Sequence, residues 1–141
     1  MRKILIPCDG SDNSLRAVRY AASVAKDLPD LQLELLHVQD PILMKVYANL
    51  SAQETEHNRQ ADEADRTLRS AKQILDTEGV PYQVHWCAGS PANEIARHVH
   101  DTHCNSIIMG TRGLSPVAAM MIGSVATKVI HLVEVPVTLI K

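Results

Sequence analysis

Five short apolar runs, separated by segments of helical period, constrain this sequence more than anything else in it. The runs are KILIPC (Lys3–Cys8), LQLELLHV (Leu31–Val38), YQVHWCA (Tyr82–Ala88), SIIMG (Ser106–Gly110) and PVTLI (Pro136–Ile140). After the first run Asp9-Gly10 turns the chain and Ser11 stands as a helix N-cap. Leu15, Val18, Ala22 and Ala25 then step at helical spacing until Pro29. From Ser51 to about Glu78 a long helix is expected, with Ala61, Ala64, Leu68, Ala71 and Leu75 on one face and Gly79-Val80-Pro81 as its stop. Ser90-Pro91 supplies an N-cap and a first-turn proline for a helix carrying Ile95, Ala96 and Val99. A last helix holds Val125, Val129 and Leu132. The segment Gln39–Leu50 has no clear period, contains Pro41 and reads as a loop.

Strand–helix alternation of this kind predicts an α/β fold with a parallel sheet covered by helices on both faces, a Rossmann-like arrangement. The alternating pattern of Tyr82, Val84 and Trp86 puts the third strand nearer an edge. At 141 residues the size prior gives one domain, 1–141. The core must be aliphatic, because 45% of residues are hydrophobic while the chain has no Phe, one Trp and three Tyr. A net charge of −2 with both signs interspersed, and no basic stripe, argues against nucleic acid as a partner. No apolar stretch approaches the length of a membrane span or a signal-peptide core, so the expectation is a cytoplasmic protein. Cys8, Cys87 and Cys104 form no C-x-x-C pair and indicate neither a disulfide framework nor a zinc site.

In open parallel sheets ligands bind beyond the C-terminal strand ends, where the strand order reverses. That rim would carry Asp9-Gly10, Gln39-Asp40, Gly89-Ser90 and Gly110–Gly113. The stretch MGTRGLSPVAAMMIGSV (Met109–Val125) is the informative one. Gly110 follows a strand and would admit a ribose or phosphate close to the backbone, and Gly113 can turn the chain through positive φ. Gly123-Ser124 opens a helix whose free amides can hold an anion. Spacing alone slightly favours a packing role. The stretch is neither a Walker A loop nor G-x-G-x-x-G.

GTRG followed nine residues later by GSV, together with ILIPCDGSDNS and LLHVQDP, resembles the universal stress protein family, and the resemblance runs through to the closing VPVTLIK. It implies a five-stranded fold of the adenine nucleotide alpha hydrolase-like kind, often dimeric, with ATP bound at the rim. By matching position, Asp9 would lie near the ribose or a Mg2+ on the phosphates. Val38 would meet the adenine, with Pro7 and Cys8 as nearby wall. Met109, Gly110, Arg112, Gly113, Gly123, Ser124 and Val125 would surround ribose and phosphates. Many members have a small residue near Pro116 and basic residues where this chain reads VAAMMI. Their replacement favours weak ATP binding, or a preference for ADP or AMP.

Other candidates are weaker. A receiver-type phosphoacceptor role for Asp9 lacks the required acidic pair. His98, His100, His103 and Cys104 read as a solvated helix end, because His98 and His100 point apart. His37 reads as a satisfied core histidine. Cys8 precedes a helix N-terminus, which can lower a thiol pKa, but a core filler is the first reading and redox sensing the second. The resemblance implies that the apolar strand Pro136–Ile140 sits at a sheet edge, which predicts a homodimer through it. The resulting functional expectation is a nucleotide-binding stress sensor or switch. The alternatives are a nucleotide-independent dimeric interaction module and a slow ATP hydrolase. No catalytic constellation stands out.

Overall fold

Each apolar run becomes a strand and each periodic segment a helix. A computed structural model describes residues 2–40, 53–114 and 121–141. The order is β1 (Arg2–Pro7), α1 (Asp12–Asp27), β2 (Leu31–Gln39), α2 (Gln53–Thr77), β3 (Tyr82–Ala88), α3 (Pro91–Thr102), β4 (Ser106–Gly110), α4 (Ser124–Leu132) and β5 (Val137–Ile140). The Ser51 helix start, most of the Gln39–Leu50 loop and Pro116 lie outside the described residues. So does most of the uncharged VAAMMI segment.

The strands form one sheet of order β3-β2-β1-β4-β5, and every pairing is parallel. As the alternating pattern of β3 predicts, that strand lies at an edge; β5 is the other. Successive residues of a strand face opposite sides, which divides the core in two. Ile4, Ile6, Leu31, Leu33 and Leu35 pack with α1 and α2 through Ala17, Val18, Ala21, Leu68, Ala71 and Leu75. Leu5, Leu36, Ile107 and Met109 pack with α3 and α4 through Ala92, Ile95, Val99, Ala126 and Val129.

The helix faces differ slightly from the periodicity reading. In α1 the buried apolar residues are Ala17, Val18, Ala21 and Ala22, while Leu15 and Ala25 lie at the margin of the core. Small residues face the sheet here and let α1 approach it closely. In α3 Ala92 is buried and Ala96 only partly so. In α4 Ala126 and Val129 are buried, but Leu132 is 50% exposed. Ser11 caps α1 as expected, its hydroxyl accepting from the Ser14 amide at 3.2 Å. Ser90 and Pro91 open α3, although the Ser90 side chain makes no capping bond.

Candidate functional site

The strand order reverses at β1. From β1 the chain moves outward through β2 to β3, then crosses back to β4 on the other side and ends at β5. The helix after β1 covers one face of the sheet and the helix after β4 covers the other. In folds of this topology the ligand crevice lies at such a reversal, here beyond the C-terminal ends of β1 and β4.

Asp9 and Gly10 sit at the β1 side of this crevice. Asp9 Oδ1 accepts from the Ser11 amide at 2.9 Å, and Gly10 turns the chain at φ 82°. This fixes the carboxylate as part of the α1 entry turn while leaving Oδ2 toward the β4 side. There it meets Gly113, where a Cβ would overlap Asp9 Oδ2. A side chain at 113 would thus displace the Asp9 carboxylate, and Gly113 does not adopt the positive φ expected of it.

Gly110 is also explained by a neighbour. A Cβ there would come within 2.8 Å of Asn13 Cβ and 2.9 Å of its carbonyl carbon. The first turn of α1 fills the space that the sequence reading reserved for a ribose or phosphate. Asn13 is buried, its Nδ2 donates to Thr111 Oγ1 at 3.1 Å, and its Oδ1 accepts from Arg16. These bonds tie α1 to the residue that follows β4.

Gly123 returns the chain to the crevice. Its amide donates to the Thr111 carbonyl at 2.6 Å, and a Cβ on it would stand 3.2 Å from that same oxygen. It is the N-cap of α4 and offers no side-chain cap. The first intrahelical bond runs from the Thr127 amide to the Gly123 carbonyl at 3.0 Å. The amides of Ser124, Val125 and Ala126 therefore have no intrahelical acceptor. They carry the positive end of the α4 dipole into the crevice. Ser124 is exposed, and Arg112 is partly buried beside Gly123.

The proposed adenine wall is not gathered on one side. Pro7 is buried and pairs with Leu36 across β1 and β2. Cys8 packs on the α1 side, its Sγ 3.4 Å from Ser14 Oγ, whereas Val38, Met109 and Val125 pack on the α3–α4 side. The side chains of Cys8 and Val38 thus belong to opposite faces of the sheet. Burial pushes the Cys8 thiol up, outweighing the Ser14 hydrogen bond that would lower it. It is a core filler and not an activated thiol. His37 is a satisfied core histidine, its Nδ1 donating to the Cys8 carbonyl at 3.0 Å.

Sequence reading placed Gln39 on the rim but gave it no role. It ends β2 and is buried, its Nε2 donates to the Gln60 carbonyl at 2.6 Å, and its Oε1 is buried without a partner among the described residues. A polar residue closing an aliphatic strand at the binding rim was the available signal.

A second polar cluster lies away from the rim. Glu34 is fully buried in the middle of β2, and its Oε2 is 2.7 Å from His98 Nε2, 3.8 Å from His85 Nε2 and 3.8 Å from Cys104 Sγ. Lys3 Nζ stands 3.6 Å from Oε1. Burial works to raise the Glu34 pKa, but the His98 hydrogen bond and the charges of His98, His85 and Lys3 lower it overall. His98 is consequently an inward-facing partner of Glu34 and not part of a solvated helix end. His100, by contrast, is exposed beside Asp101.

The comparisons with known proteins agree with this architecture. The family model described as the universal stress protein family matches residues 1–141. The chain belongs to that family. A universal stress protein of Methanocaldococcus jannaschii, MJ0531, is 32% identical over 143 residues, covering 99% of this chain and 82% of the relative. The solved structure of MJ0577 from the same organism superposes with a TM-score of 0.83 at 29% identity, covering 99% of this chain and 95% of that one. The universal stress protein of Archaeoglobus fulgidus solved in complex with dAMP has a TM-score of 0.72 at 24% identity, covering 100% and 98%. Among the described residues of this universal stress protein, no helix is long and apolar enough to cross a membrane.

Proposed function

We propose that the crevice between β1 and β4 binds an adenine nucleotide and that the protein acts as a stress-responsive sensor or switch. The observation that carries this reading is the meeting of Asp9, Gly113 and the uncapped start of α4 at the point where strand order reverses. The amides of Ser124, Val125 and Ala126 bind a phosphate. Asp9 Oδ2 accepts from a ribose hydroxyl. Gln39 Oε1, the buried acceptor at the end of β2, takes a donor from the base. The dAMP complex of the Archaeoglobus fulgidus relative supports this ligand class.

The charge of the crevice selects among nucleotides. Arg112 is the only cation between Gly110 and Val125. A triphosphate tail needs more compensation than one guanidinium and a helix dipole provide, so AMP and ADP bind more tightly than ATP. A single free carboxylate oxygen fits Mg2+, which binds through one or two carboxylates together with substrate phosphates. With the ion present Asp9 would hold it in place of the ribose hydroxyl, and the ion would offset phosphate charge. ATP therefore gains more from Mg2+ than AMP does.

Titration of the purified chain with AMP, ADP and ATP, with and without Mg2+, tests the reading against Gly123→Val. The valine crowds the Thr111 carbonyl and the Arg112 backbone at the start of α4 and is expected to weaken binding about tenfold or more, which is 1.4 kcal/mol or more. Equal affinity in a folded variant overturns it.

A nucleotide-independent dimeric module is the second reading. It is favoured by the exposed Leu114, Met121 and Ile122 and by the edge position of β5. In a homodimer the β5 edge, Pro136–Ile140, pairs with a second copy. Sedimentation at micromolar concentration, with Val137→Lys as the disrupting variant, tests this. A purely monomeric protein contradicts it.

A further inference from the structure

We infer that Glu34, His98 and Cys104, with His85, form a site for a thiophilic divalent ion such as Zn2+, distinct from the nucleotide crevice. One oxygen, one nitrogen and one sulfur donor from β2, α3 and the turn after α3 lie within 4.8 Å of one another. Zinc bonds of about 2.0–2.3 Å place neighbouring ligand atoms of a tetrahedron roughly 3.3–3.8 Å apart. The 3.8 Å separations of Cys104 Sγ and His85 Nε2 from Glu34 Oε2 already suit such a site. The closer His98 contact, at 2.7 Å, opens when an ion replaces the proton between His98 and Glu34.

His85 supplies the independent observation. Its Nε2 is buried and has no hydrogen-bond partner among the described residues, yet it lies 3.8 Å from the same carboxylate oxygen. Its ring lies 4.7 Å from that of His98, centroid to centroid, so the two imidazoles converge on Glu34. A buried nitrogen without a partner costs stability unless something fills the gap. His85 lies outside the group of donors that are all within 4.8 Å of one another, so it serves as fourth ligand once its ring turns inward to an ion bound by the other three.

The backbone turns to bring the thiol in. His103 adopts a left-handed conformation (φ 56°, ψ 45°) at the C-cap of α3, and the Cys104 amide then donates to the Val99 carbonyl at 3.1 Å. Cys104 is thereby folded under the helix toward Glu34. Lys3 faces the other carboxylate oxygen and leaves Oε2 for the ion. His85 lies on an edge strand with its side chain 36% exposed, which provides an entry path. Cysteine spacing in the sequence gave no such site because the ligands come from separate elements.

Binding breaks the Cys104 S–H bond and releases that proton to solvent. His98 binds through Nε2 as the neutral tautomer with its proton on Nδ1. The ion with one carboxylate and one thiolate is then neutral. No oxidation or reduction occurs. Affinity for the ion should rise with pH.

The test uses the full chain, treated with a chelator and titrated with Co2+ and then Zn2+. The expected result is one Co2+ per chain, with a thiolate-to-cobalt charge-transfer band and the strong visible absorption of four-coordinate cobalt, both lost on adding Zn2+. Cys104→Ser should lose the charge-transfer band. His85→Gln, an edge-strand change that leaves the core intact, should weaken binding about tenfold or more. Absence of the band in the parent chain overturns the proposal. So does its persistence in Cys104→Ser, since the thiolate would then be Cys8 or Cys87.

Discussion

The carboxylate of Asp9, after β1, occupies the place that a side chain on Gly113, after β4, would need. This contact joins the loops on either side of the strand-order reversal. Gly113→Ala should push Asp9 from its position and lower affinity for AMP about tenfold or more, or 1.4 kcal/mol or more. Gly113 is exposed and the chain can yield there, so the thermal midpoint should change little. Calorimetric titration beside a melting curve separates the two effects.

Gly110 predicts the reverse pattern. Its missing side chain accommodates Asn13 of α1, including that residue's backbone. Gly110→Ala should destabilise the protein by about 1–3 kcal/mol through overpacking. A lower urea midpoint with an unchanged slope is the expected measurement.

His103 holds a left-handed conformation that side chains with a Cβ disfavour. His103→Gly should raise unfolding free energy by roughly 0.5–1 kcal/mol, after the extra freedom of glycine in the unfolded chain is subtracted. Urea unfolding of the pair of proteins measures it.

Tyr82 sets an alkaline limit. Burial and the hydrogen bond from its hydroxyl to Asp76 Oδ1, 2.8 Å long, push its pKa up from 10.0 to about 12. The folded state holds this proton more tightly than the unfolded one. The associated stability is therefore complete below pH 10.0 and is lost as pH rises through about 12. Tyrosinate absorbance should show a late step that moves to lower pH in Asp76→Asn.

The elements were legible because each is set by local chemistry. Alternating runs gave the strands, Ser11 and Ser90-Pro91 marked helix starts, and the apolar face of α2 from Ala64 to Leu75 is buried as its spacing required. The candidate site was legible as a set of positions on one rim, since strand ends and glycines are local features. The reasons for those residues were not. A side chain at Gly110 would meet Asn13 and one at Gly113 would meet Asp9, partners about a hundred positions away. Cys8 and Val38 look like neighbours on a rim, yet the sheet turns their side chains to opposite faces. His98 reads as a helix-end cation until β2 brings Glu34 beneath it. A charge inside the aliphatic run LQLELLHV was the one warning that such a partner existed.

The most direct test of the nucleotide reading is a residue-resolved one: backbone amide spectra of the isotope-labelled chain as AMP is added. The predicted result is saturable shifts at Gly10, Thr111, Arg112, Gly113 and Gly123 through Ala126, with Glu34, His98 and Cys104 unmoved. No shifts at millimolar AMP, ADP or ATP, or shifts confined to residues away from the β1–β4 crevice, would contradict it.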